Sequence, residues 1–164
     1  MEPVSILAWG TVLGLGASLV MDGVGILRQG LAGMNGFYGL VGRWIGWLAK
    51  GRVRHDNIRR TDPVTGEVAI GWAAHIAMGV VFGVIYVALL GGGVIRAPQL
   101  LQGLGFGLVS VLVPWLIFQP LFGWGIAASK TPNPWMARKG SLITHGVFGL
   151  GLWLTGWVLS ALSV

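Results

Sequence analysis

Four polar residues near the ends of apolar segments have the side chains best suited to chemistry: Asp22, His75, Gln119 and His145. Each segment is long enough to cross a membrane, which takes about 20 residues. The first and third segments end near these side chains, and the second and fourth begin near them. Because consecutive spans run in opposite directions, all four side chains are predicted to converge in one half of a helical bundle.

Two facing imidazoles support several kinds of chemistry. His75 and His145 could hold a metal ion with Asp22 as a third ligand, or they could bind haem or another pigment. A histidine and carboxylate pair could also relay protons in a small transporter. Each histidine could equally make a structural hydrogen bond to a neighbouring helix, and the sequence leaves these alternatives open. The third histidine, His55, lies in a basic loop and is predicted to be solvated or to face lipid headgroups.

The most polar stretch of this apolar chain is Gln119–Asn133, which reads QPLFGWGIAASKTPN. It carries Ser129, Thr131 and Asn133, and its TPNP run is typical of an extended, rigid turn. The stretch follows the third apolar segment, so its polar side chains are predicted to lie on the same side as the four residues above. We interpret it as a rigid lid over a small ligand or ion pocket.

Composition places the chain in the lipid bilayer. Of its 164 residues, 54% are hydrophobic and only 10% are charged, which is more apolar surface than a soluble protein of this size can bury. There is no cysteine, so disulfides and thiolate chemistry are excluded. The net charge of +6 is interpreted as orienting the protein and contacting anionic lipid, and no nucleic-acid partner is predicted.

The apolar segments predict a single all-α integral membrane domain over residues 1–164. Its four transmembrane helices are expected at about 4–27, 68–90, 100–122 and 141–161, with basic connectors at 28–67 and 123–140. The first helix is interpreted as retained, because no basic signal-peptide region precedes it. Pro114 is expected to kink the third helix. Similar short runs, HIAMGVVFG and HGVFGLG, suggest a duplicated helix pair that aligns His75 with His145.

Residues 29–49 are apolar but have a glycine at every third position over part of their length. Each glycine costs up to about 1 kcal/mol in a helix, which argues against a fifth span. We predict an interfacial or re-entrant segment between the first two helices.

Lysine and arginine counts predict the orientation. Ten of the eleven basic residues lie in the two long connectors, and only Arg96 lies on the opposite side. The positive-inside rule therefore places both connectors in the cytoplasm and both termini on the non-cytoplasmic side.

Three runs of the sequence carry a family resemblance: GLVGRWIGWLAKGRVRHDNI, GEVAIGWAAHIAMG and QPLFGWGIAASKTPNPWMARKGSLITHGVFGLGL. They resemble a bacterial membrane-protein family catalogued as domain of unknown function 2938. The resemblance implies a small multi-pass protein of the bacterial inner membrane, and it implies no reaction.

Two functional classes follow. The first is a non-enzymatic accessory subunit that packs with itself or with a larger membrane complex through its glycine-rich helix faces. The alternative is a small transporter, or a ligand-, metal- or haem-binding protein, that uses Asp22, His75, Gln119 and His145. The chain has no HExxH, GxSxG or phosphate-loop motif, so no catalytic residue is predicted and an enzyme is the least favoured class.

Overall fold

The computed structural model describes residues 1–162. Over these residues the chain is helical and contains no strand, and four helices are long and apolar enough to cross a membrane. They are α1 (Pro3–Leu48), α2 (Glu67–Leu90), α3 (Leu100–Leu121) and α4 (Pro134–Leu162). This confirms the predicted all-helical fold with four helices of span length.

The first helix is longer than predicted because it continues through the glycine-rich segment. It is interrupted only at Gly30, whose φ of 72° and ψ of 164° are open to glycine and strained for other residues. Helical geometry resumes after this break and lasts to Leu48. The segment predicted to be interfacial or re-entrant is therefore a helix in its own right, and its placement in the bilayer stays a prediction.

The fourth helix begins at Pro134, earlier than the predicted start near residue 141. Asn133 caps it, because the Asn133 Oδ1 accepts the backbone N–H of Met136 at 3.1 Å. Proline is favoured at the first helical position, where its missing N–H costs nothing. The TPNP run is thus a helix start as well as a turn, and part of the predicted connector 123–140 is helical.

The third helix changes its winding at Pro114. Residues Pro114–Phe118 form a π-helix, in which the N–H of Gln119 bonds to the carbonyl of Pro114. Proline cannot donate the usual backbone hydrogen bond, and π segments of this kind are one way in which helices accommodate such a defect. The expected disturbance at Pro114 therefore takes the form of a single π turn.

The chain divides into two compact units, and each unit draws on several helices. Unit 1 comprises Met1–Gly25, Ile76–Ser110 and the chain from Ile143 onward; unit 2 comprises Ile26–His75 and Val111–Leu142.

Unit 1 is built on close helix contacts at glycine. A Cβ atom added to Gly14 or Gly83 would collide with the backbone of the facing helix, so α1 and α2 meet almost backbone to backbone. Gly107 and Gly149 do the same between α3 and α4. Small residues of this kind allow the tight packing of membrane helices. A buried apolar core completes the unit, including Leu13, Ala17, Tyr86, Val87, Phe148 and Leu152.

The two helix pairs of unit 1 repeat one contact pattern. Gly14 of α1 lies against the carbonyl of Gly79, and Gly107 of α3 lies against the carbonyl of His145. The contacts therefore match position 79 with position 145. The sequence suggested instead that position 75 matches position 145. Position 75 lies one helical turn before position 79.

Unit 2 contains the C-terminal part of α1, the start of α2 and two loops. Here too glycines set the distance between helices, because a Cβ on Gly42 would collide with Glu67 and one on Gly71 would collide with the backbone of Tyr38. The glycines that argued against a membrane span therefore allow α1 and α2 to pack closely. A second apolar core of Leu40, Ile58 and Phe122 lies beneath the loops.

Candidate functional site

The predicted site residues are divided between the two units. Unit 1 holds Asp22 and His145, and unit 2 holds His75, Gln119, Ser129, Thr131 and Asn133. The prediction of a single pocket formed by all seven stays a prediction.

In unit 1, the structure shows the surroundings of the two predicted site residues, Asp22 and His145. Asp22 is buried in α1. His145 lies with its Nδ1 atom 2.7 Å from the Ser110 hydroxyl, which is itself 2.6 Å from the carbonyl of Gly107. A serine has a single hydroxyl hydrogen, and the Gly107 carbonyl accepts it, so the His145 Nδ1 is the donor in this contact. This is the structural hydrogen bond that the sequence left open as an alternative.

In unit 2, His75 belongs to an aromatic cluster. Its ring stacks on the buried Tyr38 with 4.4 Å between centroids and 24° between planes. Trp72 packs against the same tyrosine at 4.3 Å and donates its indole N–H to the Asn35 side chain at 2.8 Å. The imidazole is therefore held between α1 and α2 by ring contacts.

The stretch Gln119–Asn133 is a compact, internally bonded turn, and its role as a rigid lid stays a prediction. The N–H of Trp124 bonds to the carbonyl of Gln119 at 2.8 Å, and the N–H of Lys130 bonds to the carbonyl of Trp124 at 2.8 Å. Thr131 donates its hydroxyl to the carbonyl of Ala128, whereas Ser129 and Asn133 are exposed. Of the polar residues predicted here, only Gln119 is buried.

Backbone strain is concentrated in the same stretch. Ala127 and Ala128 have φ values of 47° and 58°, a left-handed conformation that costs a residue with a Cβ about 1–2 kcal/mol. The Arg138 side chain donates to the carbonyl of Ala127 at 2.7 Å and helps to hold this conformation. Strain of this kind is often retained at functional sites, where the surrounding structure fixes it.

An arginine in α1 ties three parts of unit 2 together. The Arg43 guanidinium donates to both carboxylate oxygens of Glu67, at 2.7 and 2.9 Å. It also donates to the carbonyls of Ile58 and Thr61 in the loop. The Glu67 carboxylate accepts the N–H of Val64 in turn, which fixes the start of α2. The pair is a forked, charge-assisted clamp between two helices and a loop.

The prediction that His55 is solvated or faces headgroups is wrong, because its side chain is only 1% exposed. Its backbone N–H bonds to the carbonyl of Leu121 at 2.9 Å, and the Trp47 ring packs edge-on against it. Burial lowers the pKa of the His55 imidazole, nearby Arg52 lowers it further, and Asp56 partly opposes this shift.

The hydrogen bonds of His55 also fix its tautomer. Its Nδ1 lies 3.0 Å from the Thr61 hydroxyl, and that hydroxyl donates its hydrogen to the carbonyl of Asn57. With that hydrogen used at Asn57, Nδ1 carries the proton of the neutral ring and the buried Nε2 keeps a lone pair.

Three buried polar atoms of unit 2 have no hydrogen-bond partner in the described part of the chain: His55 Nε2, Trp115 Nε1 and Gln119 Oε1. The backbone N–H of His55 bonds to the carbonyl of Leu121, which is two residues after Gln119. This hydrogen bond brings the backbones of His55 and Gln119 near each other. Trp115 lies about one turn before Gln119 on α3. Unit 1 has one such atom, the hydroxyl of Ser18.

No group of three or more His, Asp or Glu side chains in residues 1–162 could hold a metal ion. The unpartnered atoms of unit 2 are instead an imidazole nitrogen, an amide oxygen and an indole N–H. They are suited to hydrogen bonding with an uncharged group. Binding of haem or a pigment stays a prediction.

His55 and Trp115 were not among the site residues predicted from the sequence, and no partner was predicted for Arg43. A signal was available for the arginine, because an ionisable residue near the end of an apolar helix needs a partner, and Glu67 opens the next helix. For His55 and Trp115 no local signal existed, because their burial comes from contacts between distant segments.

Comparisons with known proteins identify one family. No curated protein and no solved structure matches the chain. One family model, described as protein of unknown function DUF2938, matches residues 11–159, which is nearly the whole sequence. The chain therefore belongs to the family of unknown function DUF2938.

Proposed function

We propose that the protein is a small multi-pass membrane protein that binds a small uncharged molecule, or the uncharged polar end of an amphiphile, in unit 2. One observation carries the proposal: unit 2 buries three polar atoms, on His55, Trp115 and Gln119, that no described residue satisfies. Each such atom costs about 1–3 kcal/mol, so a purely structural unit gains nothing by keeping them. A ligand that satisfies them recovers this free energy on binding.

The chemistry of the three atoms defines the ligand class. Gln119 Oε1 accepts a hydrogen bond, Trp115 Nε1 donates one, and the neutral His55 accepts one through Nε2. The Arg43 and Glu67 charges pair with each other, and the two charges that act on His55, those of Arg52 and Asp56, are opposite in sign. A hydroxyl or amide group fits this set, whereas an unpaired ion would not be neutralised.

The test is to identify what the protein carries after gentle extraction. Wild-type protein purified in a mild detergent should retain one small molecule per chain, detectable by native mass spectrometry. Gln119→Leu should lose it, because the apolar side chain cannot hydrogen-bond to the molecule. Gln102→Leu is the matched control, since it makes the same change elsewhere on α3 and should keep the molecule.

The proposal fails if wild-type protein carries nothing but bulk lipid. It also fails if Gln102→Leu and Gln119→Leu lose the molecule equally. If Gln119→Leu only gains stability and no molecule is found, the amide is a structural imperfection.

An accessory role in a membrane assembly is a second candidate, and one observation favours it. Residues 26–33 are all exposed, so no helix within residues 1–162 covers that part of α1. A Cβ on nearby Gly36 would also meet nothing within 4 Å. The glycine pairs at positions 10 and 14 and at 103 and 107 are occupied by contacts within the chain, so assembly would use this other surface.

This second candidate predicts that the detergent-extracted protein runs above its monomer mass. Gly33→Leu should restore the monomer, whereas Gly105→Leu, an exposed glycine on α3, should not. A monomeric wild-type protein in every gentle detergent would contradict it.

We further propose that the chain lies in the bacterial inner membrane with both termini outside and the unit 2 loops in the cytoplasm, as the basic residues predict. The chain lacks cysteine, so single cysteines introduced at Lys50 and Gln99 report on each side separately. An impermeant maleimide added to intact cells should label Gln99→Cys and spare Lys50→Cys. The reverse pattern would invert the orientation.

A further inference from the structure

A cleft lies in unit 1, and none of its lining residues belongs to the proposed site. It encloses about 470 Å³, which is within the usual range for ligand pockets of about 300–1,000 Å³. The beginning of α1, the end of α4 and the link between α2 and α3 contribute its walls. The residues that matter for its chemistry are Ser5, Trp9, Gly92, Ile95, Arg96 and Ser160.

The cleft contains one strong cation whose charge is not neutralised by the protein. The Arg96 side chain is exposed and forms no ion pair in the described part of the chain. Glu2, near the cleft in sequence, is likewise not paired with it. The backbone of Arg96 is fixed, since its carbonyl accepts the Ser160 hydroxyl at 3.2 Å. The guanidinium thus presents its N–H donors from an anchored position.

A glycine makes room for the guanidinium. A Cβ added to Gly92 would lie 2.9 Å from Arg96 Nη2, which is closer than ordinary contacts allow, and at an ordinary contact distance of 3.5 Å from Nε. The next residue, Gly93, has nothing within 4 Å of such an atom. The absence of a side chain at position 92 therefore lets Arg96 fold back along the link, and Gly93 provides a control position.

Part of the remaining wall is apolar, although Ser5 and Ser160 also line the cleft. Ile95 is buried in the core of unit 1, and Trp9 packs against that core while also lining the cleft. Tryptophan rings commonly lie at the level of lipid headgroups in membrane proteins. The combination of one free guanidinium with apolar walls at the ends of helices suits an anionic head joined to a hydrocarbon body.

We propose that this cleft binds the phosphate of an anionic phospholipid, with Arg96 pairing the phosphate and Trp9 and Ile95 packing against the lipid. Arginine matches phosphate oxygens with paired N–H donors. The other ten lysine and arginine residues lie within 28–60 and 130–139, and none of them lines the cleft. Binding here therefore depends on one residue and not on a diffuse basic patch. The site is independent of the ligand proposed for unit 2.

The test uses purified full-length protein in a neutral detergent, titrated with phosphatidylglycerol and followed by native mass spectrometry. Wild-type protein should bind one tight lipid, and Arg96→Gln should weaken that binding about tenfold, as expected for loss of a charge-assisted hydrogen bond. Arg54→Gln makes the same change in the unit 2 loop and should leave the tight lipid in place. Gly92→Ala should weaken binding more than Gly93→Ala, because only the first displaces the guanidinium.

Two competitors complete the design. Phosphatidylcholine carries a phosphate whose charge its choline balances, and it should bind more weakly than phosphatidylglycerol. Inorganic phosphate has no apolar body and should not displace the lipid at millimolar concentration. If inorganic phosphate displaces it fully, the proposal of a lipid is wrong. If Arg96→Gln and Arg54→Gln bind the lipid equally, the cleft is not its site.

Discussion

Adding one methyl group to the helix contact of unit 2 should separate the roles of two glycines on the same helix. In Gly42→Ala the new Cβ would lie 2.7 Å from the carbonyl carbon of Glu67 and 2.8 Å from the nitrogen of Gly71. Ordinary carbon contacts are about 3.5–4.0 Å, so the helices would have to separate by about 1 Å. Both obstacles are backbone atoms and cannot rotate away. In Gly36→Ala the Cβ would meet nothing within 4 Å.

The magnitudes follow from these distances. Overpacking costs about 1–3 kcal/mol, and a clash with backbone belongs at the upper end of that range. Alanine is the better helix former by about 1 kcal/mol, which offsets part of the cost at position 42 and is a gain at position 36. Gly42→Ala should therefore lose about 2 kcal/mol and Gly36→Ala should gain up to about 1 kcal/mol, a difference of about 3 kcal/mol.

The assay is equilibrium unfolding in mixed micelles with increasing dodecyl sulfate, followed by tryptophan fluorescence. The free energy of unfolding is compared among wild type, Gly42→Ala and Gly36→Ala. If the two variants agree within about 0.5 kcal/mol, the close contact at Gly42 does not hold unit 2 together and the reasoning is refuted.

Three further predictions use the same assay. Arg43→Met should destabilise the protein by about 3–5 kcal/mol because it leaves the Glu67 carboxylate without its partner, and Arg43→Lys should recover only part of this because lysine cannot form the fork; a loss below about 0.5 kcal/mol would contradict the clamp. Ser18→Ala should stabilise the protein by about 1 kcal/mol, since it removes a buried hydroxyl that no described residue satisfies, and a loss of stability would show that the hydroxyl has a partner. Because the pKa of His55 is lowered in the folded protein, the imidazole of the unfolded chain takes up its proton at a higher pH. The stability that the neutral His55 contributes is therefore complete above about pH 6.5 and is lost as the pH falls below it. His55→Gln should flatten that acid dependence, and an unchanged pH profile would count against a buried neutral imidazole.

Much of the fold was accessible from local sequence patterns. Apolar length alone predicts four helices, and the glycine spacing at positions 10, 14, 103 and 107 predicts close helix contacts. The course of α1 beyond Gly30 was not predictable in the same way. Glycine lowers helix propensity in isolation, and only the facing backbone at Glu67 and Gly71 turns that weakness into a packing advantage.

The candidate site shows a sharper limit. Gln119 was predicted from its position after an apolar helix, and it is buried with an unpartnered atom. His55 was predicted to be exposed because its neighbours in sequence are basic, whereas it is buried where its loop contacts Leu121 at the end of α3. Local composition reports the average environment of a segment. It does not report which single side chain of a loop turns inward when two loops pack together.

The most direct test of the central claim is an experimental structure, in lipid, at a resolution that shows bound water and small molecules. The account predicts density for one molecule within hydrogen-bond distance of at least two of His55 Nε2, Trp115 Nε1 and Gln119 Oε1. It is contradicted if those atoms bond to other residues of the chain, or if only isolated waters lie beside them in protein that has never been stripped of its ligand.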